Sequence, residues 1–323
     1  MDLFDLPAVS APLPWQGALW SQLNQQLDGD QMPHALLFAG PRHIGKERLA
    51  IALARRLLCG EPVDGLNCGA CHACELSASG SHGDLRWLSP EEGSRVIRID
   101  QVRDVVEFGN KTASFGRRKV IVVTPADSMN SNAANALLKS LEEPAADTYL
   151  ILVCHRLHGV PPTIRSRCQI CRLPVPAHDA ALSWLDPVTG ERGESERQLA
   201  LAEGRPLLAE SLAREGGADL LAARQAALRA LLEGHFDAPK LAALLADDSV
   251  EQVLNWLVRG IGAFLRGLEP GQLATARARG IFRLLDDIAA IQRAVAGGAN
   301  PSRQLLVESL LTRLEQLGPA QLV

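Results

Sequence analysis

The strongest constraint on the fold of this chain is the loop Gly40–Glu47, which lies between an apolar run and a helical pattern. The apolar run is Ala35–Ala39, and the helical pattern continues as far as Leu58. A strand, a glycine loop and a helix in this order are typical of a phosphate-binding loop, because backbone N–H groups curl around phosphate oxygens and the helix N-terminus adds partial positive charge. The candidate phosphate ligands are Gly40, Gly45 and Lys46.

One residue of the loop departs from the phosphate-binding pattern. The pattern has Ser or Thr after the lysine, because that hydroxyl ligates Mg²⁺, whereas this chain has Glu47. A carboxylate at this position would lie close to the phosphates that the loop should hold. The glycines and Lys46 would still permit weak nucleotide binding, since the geometry of the helix terminus is intact.

The acidic residues of an ATPase are also missing. A hydrolase of this class has two carboxylates at the end of the second core strand, one for Mg²⁺ and one for the attacking water. Here the apolar run Val120–Val123 continues into Thr124 and Pro125, and Asp127 comes later. We therefore predict that the chain does not hydrolyse ATP.

Apolar runs and helical patterns alternate through residue 154. Val120–Val123 and Tyr149–Cys154 are continuous apolar runs, which are typical of strands buried on both faces of a parallel sheet. Leu85–Leu88 is a shorter strand candidate. Helices are predicted at residues 15–28, from the loop to Leu58, from Asp100 as N-cap to Gly109, and from Asn132 to Glu143. The alternation predicts an α/β domain with a parallel sheet and flanking helices.

No strand pattern remains after about residue 172, and every later segment has a helical pattern. The predicted helices lie around Ala180–Leu185, Ser195–Ala202 and Pro206–Ala213, and then at residues 218–233, 238–247, 250–267, 273–296 and 301–317. We expect the last helix to begin with Asn300 as N-cap and Pro301 as its first residue. The predicted domains are therefore an α/β domain (1–171), a small helical domain (172–214) and a larger all-α domain (215–323).

Four cysteines are concentrated in the segment 59–83, which is small, polar and without a regular period. Their spacing, C-x₈-C-x₂-C-x₂-C, allows thiolates to converge on one tetrahedral ion. Because four sulfurs leave no position for a substrate, we predict a structural zinc site. Its ligands would be Cys59, Cys68, Cys71 and Cys74, with His72 as a competing ligand.

A second metal site is a weaker alternative. Cys168 and Cys171 are also two residues apart, and Cys154 and His155 lie upstream. No fourth ligand follows at a useful spacing, and Cys154 ends an apolar strand, so ordinary buried thiols are the better interpretation.

Composition restricts the environment and the partners of the chain. Residues 1–16 lack the pattern of a signal peptide, no apolar run has the length of a membrane span, and we expect a cytoplasmic protein whose 7 cysteines stay reduced. The net charge of −4 argues against a large DNA-binding surface that ignores base sequence.

An arginine follows the last predicted strand. Arg167, in the sequence Ser166-Arg167-Cys168, lies in a loop with two prolines and Arg165. An arginine on such a loop can stabilise phosphoryl charge in a neighbouring subunit, although an ordinary surface arginine is the simpler interpretation of this residue alone.

Together these motifs resemble the AAA+ clamp-loader family. The segment Asn135–Pro144 is similar to the family's N-A-L-L-K-[ST]-L-E-E-P helix, Ser166–Cys168 to its S-R-C motif, and the four cysteines to the zinc module inserted after its phosphate-loop helix. The departures at Glu47, Thr124 and Pro125 match a clamp-loader subunit that does not hydrolyse ATP. The resemblance is specific over the first 170 or so residues, and beyond them it is one of layout only.

The resemblance implies a role in DNA replication. The family fold is an AAA+ core with a zinc module, here residues 59–83, followed by a helical lid (172–214) and an all-α collar that joins subunits (215–323). The chain would assemble with the delta and gamma/tau subunits of bacterial DNA polymerase III in a five-subunit ring, which loads the sliding clamp onto primed DNA. Arg167 would be the arginine finger presented to ATP on the adjacent gamma/tau subunit.

Two other functions are compatible with parts of the sequence. An autonomous ATP-binding AAA+ switch would use Lys46 for its own nucleotide, although the missing carboxylates argue against it. A zinc-containing nucleic-acid-binding protein would bind duplex DNA with a steep salt dependence, which the net charge of −4 argues against.

Overall fold

The computed structural model describes residues 6–296 and 299–318. Its first part is built around a parallel sheet, as predicted, and this sheet has five strands. The strands are β1 (Ala35–Ala39), β2 (Leu85–Leu88), β3 (Lys119–Val123), β4 (Thr148–Cys154) and β5 (Gln169–Arg172), in the order β2-β3-β4-β1-β5. The sheet therefore places the end of β1, and the phosphate loop after it, between the ends of β4 and β5.

Both faces of the sheet are covered, which explains why β1 and β3 are continuous apolar runs. Every residue of these two strands is buried. In β1 the alternate side chains pack into different clusters: Leu37 belongs to one, and Leu36 and Phe38 belong to the other. Successive strand residues point to opposite faces, so a strand between two helical layers needs apolar residues at every position.

Helices occupy both faces of this sheet. They are α1 (Gly17–Asp28), α2 (Lys46–Leu58), α3 (His72–Ala78), α4 (Ile99–Asn110), α5 (Ser131–Glu142) and the single turn α6 (Pro162–Arg165). Residues of α1 and α2 pack on one face, and residues of α4 and α5 pack on the other.

Three details of this part differ from the sequence prediction. The segment 59–83 contains the helix α3, which at seven residues is too short to show a helical period. The N-cap of α4 is Arg98 and not Asp100, because the Gln101 side chain accepts a hydrogen bond from the Arg98 N–H at 2.9 Å and fixes the helix start there. The short edge strand β5 was missed, since its four residues are mostly exposed and carry no apolar run.

The helices that follow the sheet are close to the predicted ones. They are α7 (His178–Thr189), α8 (Arg192–Leu201), α9 (Pro206–Glu215), α10 (Ala218–Leu232), α11 (Ala238–Leu244), α12 (Val250–Arg266), α13 (Pro270–Leu273), α14 (Ala276–Ala296) and α15 (Arg303–Gln316). The chain divides into two compact units, the first ending at Arg214 and the second beginning at Glu215. The assignment of a lid and a collar stays a prediction.

One helix start in the second unit was predicted wrongly. Helix α15 has Ser302 as its N-cap, and both Asn300 and Pro301 precede it. The backbone of Leu306 bonds to the Ser302 carbonyl at 3.0 Å, so the first helical turn closes two residues later than the Asn-Pro signal suggests. The hydrophobic core of this unit is formed by apolar side chains of α10, α11, α12, α14 and α15. Within residues 6–296 and 299–318, no helix is long and apolar enough to cross a lipid bilayer.

We expect the buried side chains of the central strands to contribute much of the stability of the first unit. Ile151 of β4 is fully buried, whereas Ile170 of the edge strand β5 is 36% exposed. We expect Ile151→Ala to lower the free energy of unfolding by about 2–5 kcal/mol, because it leaves a cavity that the two helical layers cannot close. Ile170→Ala is the matched control and should lower the free energy of unfolding by less than about half as much. Equal losses in urea denaturation would contradict this account of the core.

Candidate functional site

The four predicted zinc ligands come together at the C-terminal end of α2. The sulfurs of Cys59, Cys68, Cys71 and Cys74 all lie within 4.8 Å of one another. The Sγ atoms of Cys59 and Cys71 are 3.9 Å apart, as are those of Cys68 and Cys74. Four sulfurs at about 2.3 Å from a tetrahedral zinc would be separated by about 3.8 Å. The cluster therefore has the dimensions of a tetrahedral metal site.

The local backbone structure explains how the four cysteine sulfurs of a short segment come together. Cys59 is the C-cap of α2, and Cys71 is the N-cap of α3. Between them Gly69 has a φ of 76°, a left-handed conformation that glycine adopts without steric cost. This turn reverses the chain so that Cys68 faces the two helix ends.

Backbone and amide N–H groups point at the sulfurs. The N–H of Cys68 donates to Cys59 Sγ, and the N–H of Cys71 donates to Cys68 Sγ, both at 3.3 Å. Burial raises the pKa of the Cys59 thiol to about 12, while N–H groups outweigh burial at Cys71 and lower the pKa of that thiol to about 6. Four cysteines with such donors are a soft, closed ligand set that suits zinc. His72 is not among the clustered ligand atoms, and its ring meets the Phe115 ring instead.

The remaining cysteines do not form a second cluster in the described part of the chain. Burial raises the pKa of the Cys154 and Cys168 thiols to about 12, and Cys171 lies within β5. Cys154 and Cys171 are buried and Cys168 is half-buried, and burial keeps the Cys154 and Cys168 thiols neutral at pH 7. That these cysteines bind no metal stays a prediction.

The phosphate loop joins β1 to α2 at the opposite end of that helix. Gly45 is the N-cap of α2 with a φ of 86°, and a side chain there would collide with Leu13. Gly40 is equally confined, because an added Cβ would meet the carbonyl oxygen of Leu173. Since α2 has 13 residues, the loop and the cysteine cluster lie about 20 Å apart along its axis.

The lysine of the loop is directed inward. Lys46 is fully buried, and its Nζ donates to the carbonyl oxygen of Pro41 at 2.5 Å. Burial lowers the pKa of this amine. In this arrangement Lys46 bonds to the loop itself, so its ammonium is not presented to an external phosphate.

Glu47 and the residues opposite it lack the chemistry of an ATPase. Glu47 Oε1 is 3.7 Å from His155 Nε2, and burial lowers the pKa of His155 to about 3, so the imidazole is neutral at pH 7. The Asp127 carboxylate accepts from the His155 N–H at 2.9 Å and contacts the Arg156 guanidinium at 3.4 Å. Asp127 thus holds the end of β4, and Thr124 and Pro125 occupy the acidic positions.

Trp15 and Gln16, just before α1, also contact the phosphate loop, a contact that the sequence pattern did not reveal. Trp15 Nε1 donates to the carbonyl oxygen of Ile44 at 3.0 Å, and Gln16 Nε2 donates to that of Gly45 at 3.0 Å. A Trp–Gln pair at the start of a predicted helix gives no signal of these partners, because they lie almost thirty residues away.

The small helices of the first unit reach the same loop. The N–H of Leu207 in α9 donates to the carbonyl oxygen of His43 at 3.1 Å. Arg48 of α2 pairs with Glu210 of α9 at 3.2 Å, and the Arg48 guanidinium lies over the Trp184 ring of α7. The polar edge of the loop is thus bonded by groups of this chain on two sides.

Arg167 follows the single turn α6, and its side chain is about one-third exposed. It pairs with the Glu142 carboxylate at the end of α5, and its Nη1 donates to the Thr163 carbonyl oxygen at 2.9 Å. The neighbouring Arg165 is different, because its Nε is buried and has no hydrogen-bond partner in the described structure. Both side chains are half-buried, and Arg167 is the one whose Nη1 makes its hydrogen bonds at the exposed surface.

Comparison with known proteins agrees with this architecture. The family model described as "DNA polymerase III, delta subunit" matches residues 15–177. DNA polymerase III subunit delta' of Pseudomonas aeruginosa is 39% identical over 95% of this chain and 98% of its own length. The Escherichia coli subunit delta' is 32% identical over 94% of this chain and 95% of its own length.

A solved structure extends the likeness to the fold. A DNA polymerase III gamma subunit-related protein of Thermotoga maritima superposes with a TM-score of 0.51 at 19% identity, covering 92% of this chain and 98% of that protein. At this identity the match bears on the fold alone, which is the AAA+ α/β core followed by helices. With the sequence matches above, it follows that the chain belongs to the DNA polymerase III subunit delta' family.

Proposed function

We propose that this chain is a non-hydrolysing clamp-loader subunit that supplies Arg167 in trans to ATP bound on an adjacent gamma/tau subunit. It would assemble with delta and gamma/tau in the cytoplasm, and the complex would load the sliding clamp onto primed DNA. The observation that carries the proposal is the contrast between a surface arginine and a phosphate loop without catalytic groups. The charged end of Arg167 is accessible to a partner, whereas Lys46 is not.

The position of Arg167 suits a finger that acts across an interface. It follows a short helical turn that begins with Pro161 and Pro162, which limit the backbone conformations of the loop. The ion pair with Glu142 and the bond to Thr163 hold the guanidinium near the surface without burying it. An exposed ion pair contributes at most about 1 kcal/mol, so a phosphate of the partner would displace Glu142 readily.

The loop of this chain would then serve as a scaffold. A phosphate-binding lysine must point at the ligand, but Lys46 is bonded to Pro41, and Glu47 adds a negative charge at the position of the Mg²⁺ ligand. Thr124 and Pro125 offer neither of the two carboxylates that would hold Mg²⁺ and orient the attacking water at this strand end. Under this proposal the ATP that matters is on the neighbouring subunit.

The cysteine cluster would hold one structural zinc ion through Cys59, Cys68, Cys71 and Cys74. Zinc supplies bonding that joins the end of α2 to α3 across a segment with little apolar side chain of its own. The residues of this chain provide the thiolates, the N–H donors to sulfur and the left-handed turn at Gly69.

The finger proposal predicts a loss of activity in the assembled loader. In a complex reconstituted with delta and gamma/tau, Arg167→Ala should lower clamp- and primer-stimulated ATP hydrolysis by at least about ten-fold, since a finger contributes several powers of ten at one site. Arg165→Ala is the matched control and should retain at least about half of the rate. Lys46→Met should also retain it, because the loop of this chain takes no part in catalysis. An unchanged rate with Arg167→Ala would refute the finger.

The zinc proposal predicts about one zinc ion per purified chain by elemental analysis. Cys68→Ser should reduce the zinc content to below about one-fifth and lower the thermal unfolding midpoint, because a ligand is lost. Cys168→Ser should keep the zinc, since its sulfur is outside the cluster. Two zinc ions per chain would instead support the alternative of a second metal site. A wild-type chain without zinc would refute the proposal.

Assembly is tested directly by size-exclusion chromatography of the chain mixed with gamma/tau and delta. We expect the three to elute as one complex, with residues 215–323 acting as the collar and residues 172–214 as the lid. A chain that ends at Arg214, where the first compact unit ends, should fail to enter the complex. Elution of the full chain apart from gamma/tau and delta would contradict the clamp-loader role more strongly than any assay of the isolated chain.

A further inference from the structure

Arg55 is a buried charge whose function the site described above does not explain. It lies in the last turn of α2, four residues before Cys59, and is only 1% exposed. Its Nη1 donates to the Pro7 carbonyl oxygen and to Ser10 Oγ, both at 2.6 Å, and its Nη2 donates to the Ser77 carbonyl oxygen at 3.3 Å. Its Nε has no partner among residues 6–296 and 299–318.

No carboxylate pairs with Arg55 in the described residues, so its charge is not balanced in the usual way. The adjacent Arg56 shows the contrast, because it is similarly buried but pairs with Asp28 at 2.7 Å. A buried guanidinium without a counter-charge is costly, and proteins place an anion beside such a group.

The cysteine cluster, once it holds a divalent metal, would supply the anion that Arg55 lacks. Ser77, which accepts from Arg55, is on α3 together with Cys74, and the Ser77 hydroxyl donates to the Cys74 carbonyl oxygen at 3.0 Å. Burial lowers the pKa of Arg55, and a negative charge on Cys74 would act in the opposite direction and favour the protonated guanidinium. Four thiolates around one divalent ion carry a net charge of about −2, which a neighbouring guanidinium would offset.

A second buried side chain connects the cluster to the same N-terminal residues. Asn67, 1% exposed, donates through Nδ2 to Cys74 Sγ at 3.4 Å and to the Ala8 carbonyl oxygen at 2.8 Å. Its Oδ1 accepts from the Ser10 N–H at 2.9 Å. Arg55 and Asn67 therefore bind the N-terminal segment, residues 6–16, from two sides. Asn67 bonds directly to Cys74, and Arg55 bonds to Ser77 on the same helix.

The N-terminal segment continues from the cluster to the phosphate loop. Ser10 is at the cluster, whereas Trp15 and Gln16 bond to the carbonyl oxygens of Ile44 and Gly45. The segment thus spans the length of α2 and is held at both ends of that helix.

We propose that Arg55 is the counter-charge of the metal–tetrathiolate centre, and that through Arg55 and Asn67 the bound metal holds the N-terminal segment against α2 and the phosphate loop. This inference rests on the zinc site proposed above. The metal would then stabilise more than its own loop, since its loss lets the thiolates protonate, which leaves Arg55 without an anion and Asn67 with a weaker sulfur acceptor.

The first test measures zinc affinity by competition with a chelator, in the full chain. Arg55→Met should weaken zinc binding by about 10- to 100-fold, the range found when groups outside the ligand shell are removed. Arg56→Met, the matched control, should change it by less than about three-fold, because Arg56 is balanced by Asp28. Arg55→Lys keeps the positive charge, and its zinc affinity should lie between those of the Arg55→Met and Arg56→Met chains. Equal affinities for the Arg55→Met and Arg56→Met chains would overturn the counter-charge.

The second test needs no substitution, so it stands even if Arg55→Met does not fold. Hydrogen exchange of the Ser10 amide, whose acceptor is Asn67, is measured in the wild-type chain with zinc and after chelation. We expect exchange at Ser10 to accelerate by at least about ten-fold on chelation, while amides of β3 stay protected. Unchanged exchange at Ser10 in a chain that has lost its zinc would overturn the inference. A wild-type chain that contains no zinc would refute the zinc site itself, a result distinct from either outcome.

Discussion

The burial of α2 against the sheet is the packing on which both ends of the site depend. Ten of its 13 residues are buried, including the charged residues Lys46, Arg55 and Arg56. A helix that is surrounded on nearly every side is fixed in position, and it carries the phosphate loop at one end and Cys59 at the other. Small residues such as Ala50, Ala52 and Ala54 allow the surrounding elements to approach closely.

The buried titratable groups in and around α2 are stabilised in different ways. Lys46 bonds to a carbonyl oxygen of its own loop, Arg56 has Asp28, and His155 stays neutral because burial lowers its pKa. Because Lys46 is bonded to its own loop and His155 is neutral, neither offers a free positive charge to a nucleotide at the loop. The first unit has therefore kept the backbone of a phosphate-binding loop while its polar groups stabilise the domain.

The surface position of Arg167 has a simple structural origin. It comes after a turn of helix and before an edge strand, so the chain is packed from one side only. Glu142, at the end of the helix that the family motif describes, reaches the same guanidinium. A residue placed in this way can meet a partner's phosphate with little rearrangement of its own backbone.

The sequence by itself determined the parallel α/β core, the helical remainder, the four clustered cysteines and the absence of carboxylates after β3. These features are local: a strand between two helical layers needs an unbroken apolar run, and thiolates close in sequence can converge without help from distant residues. The sequence did not reveal the short elements α3 and β5, because segments of seven and four residues show no reliable period. Only the tertiary structure decided that Lys46 points inward, that Trp15 and Gln16 bond to the loop, and that Arg55 has no carboxylate partner in the described residues. Such facts depend on residues far apart in the chain, whose approach is set by the packing of α2 and not by any local pattern.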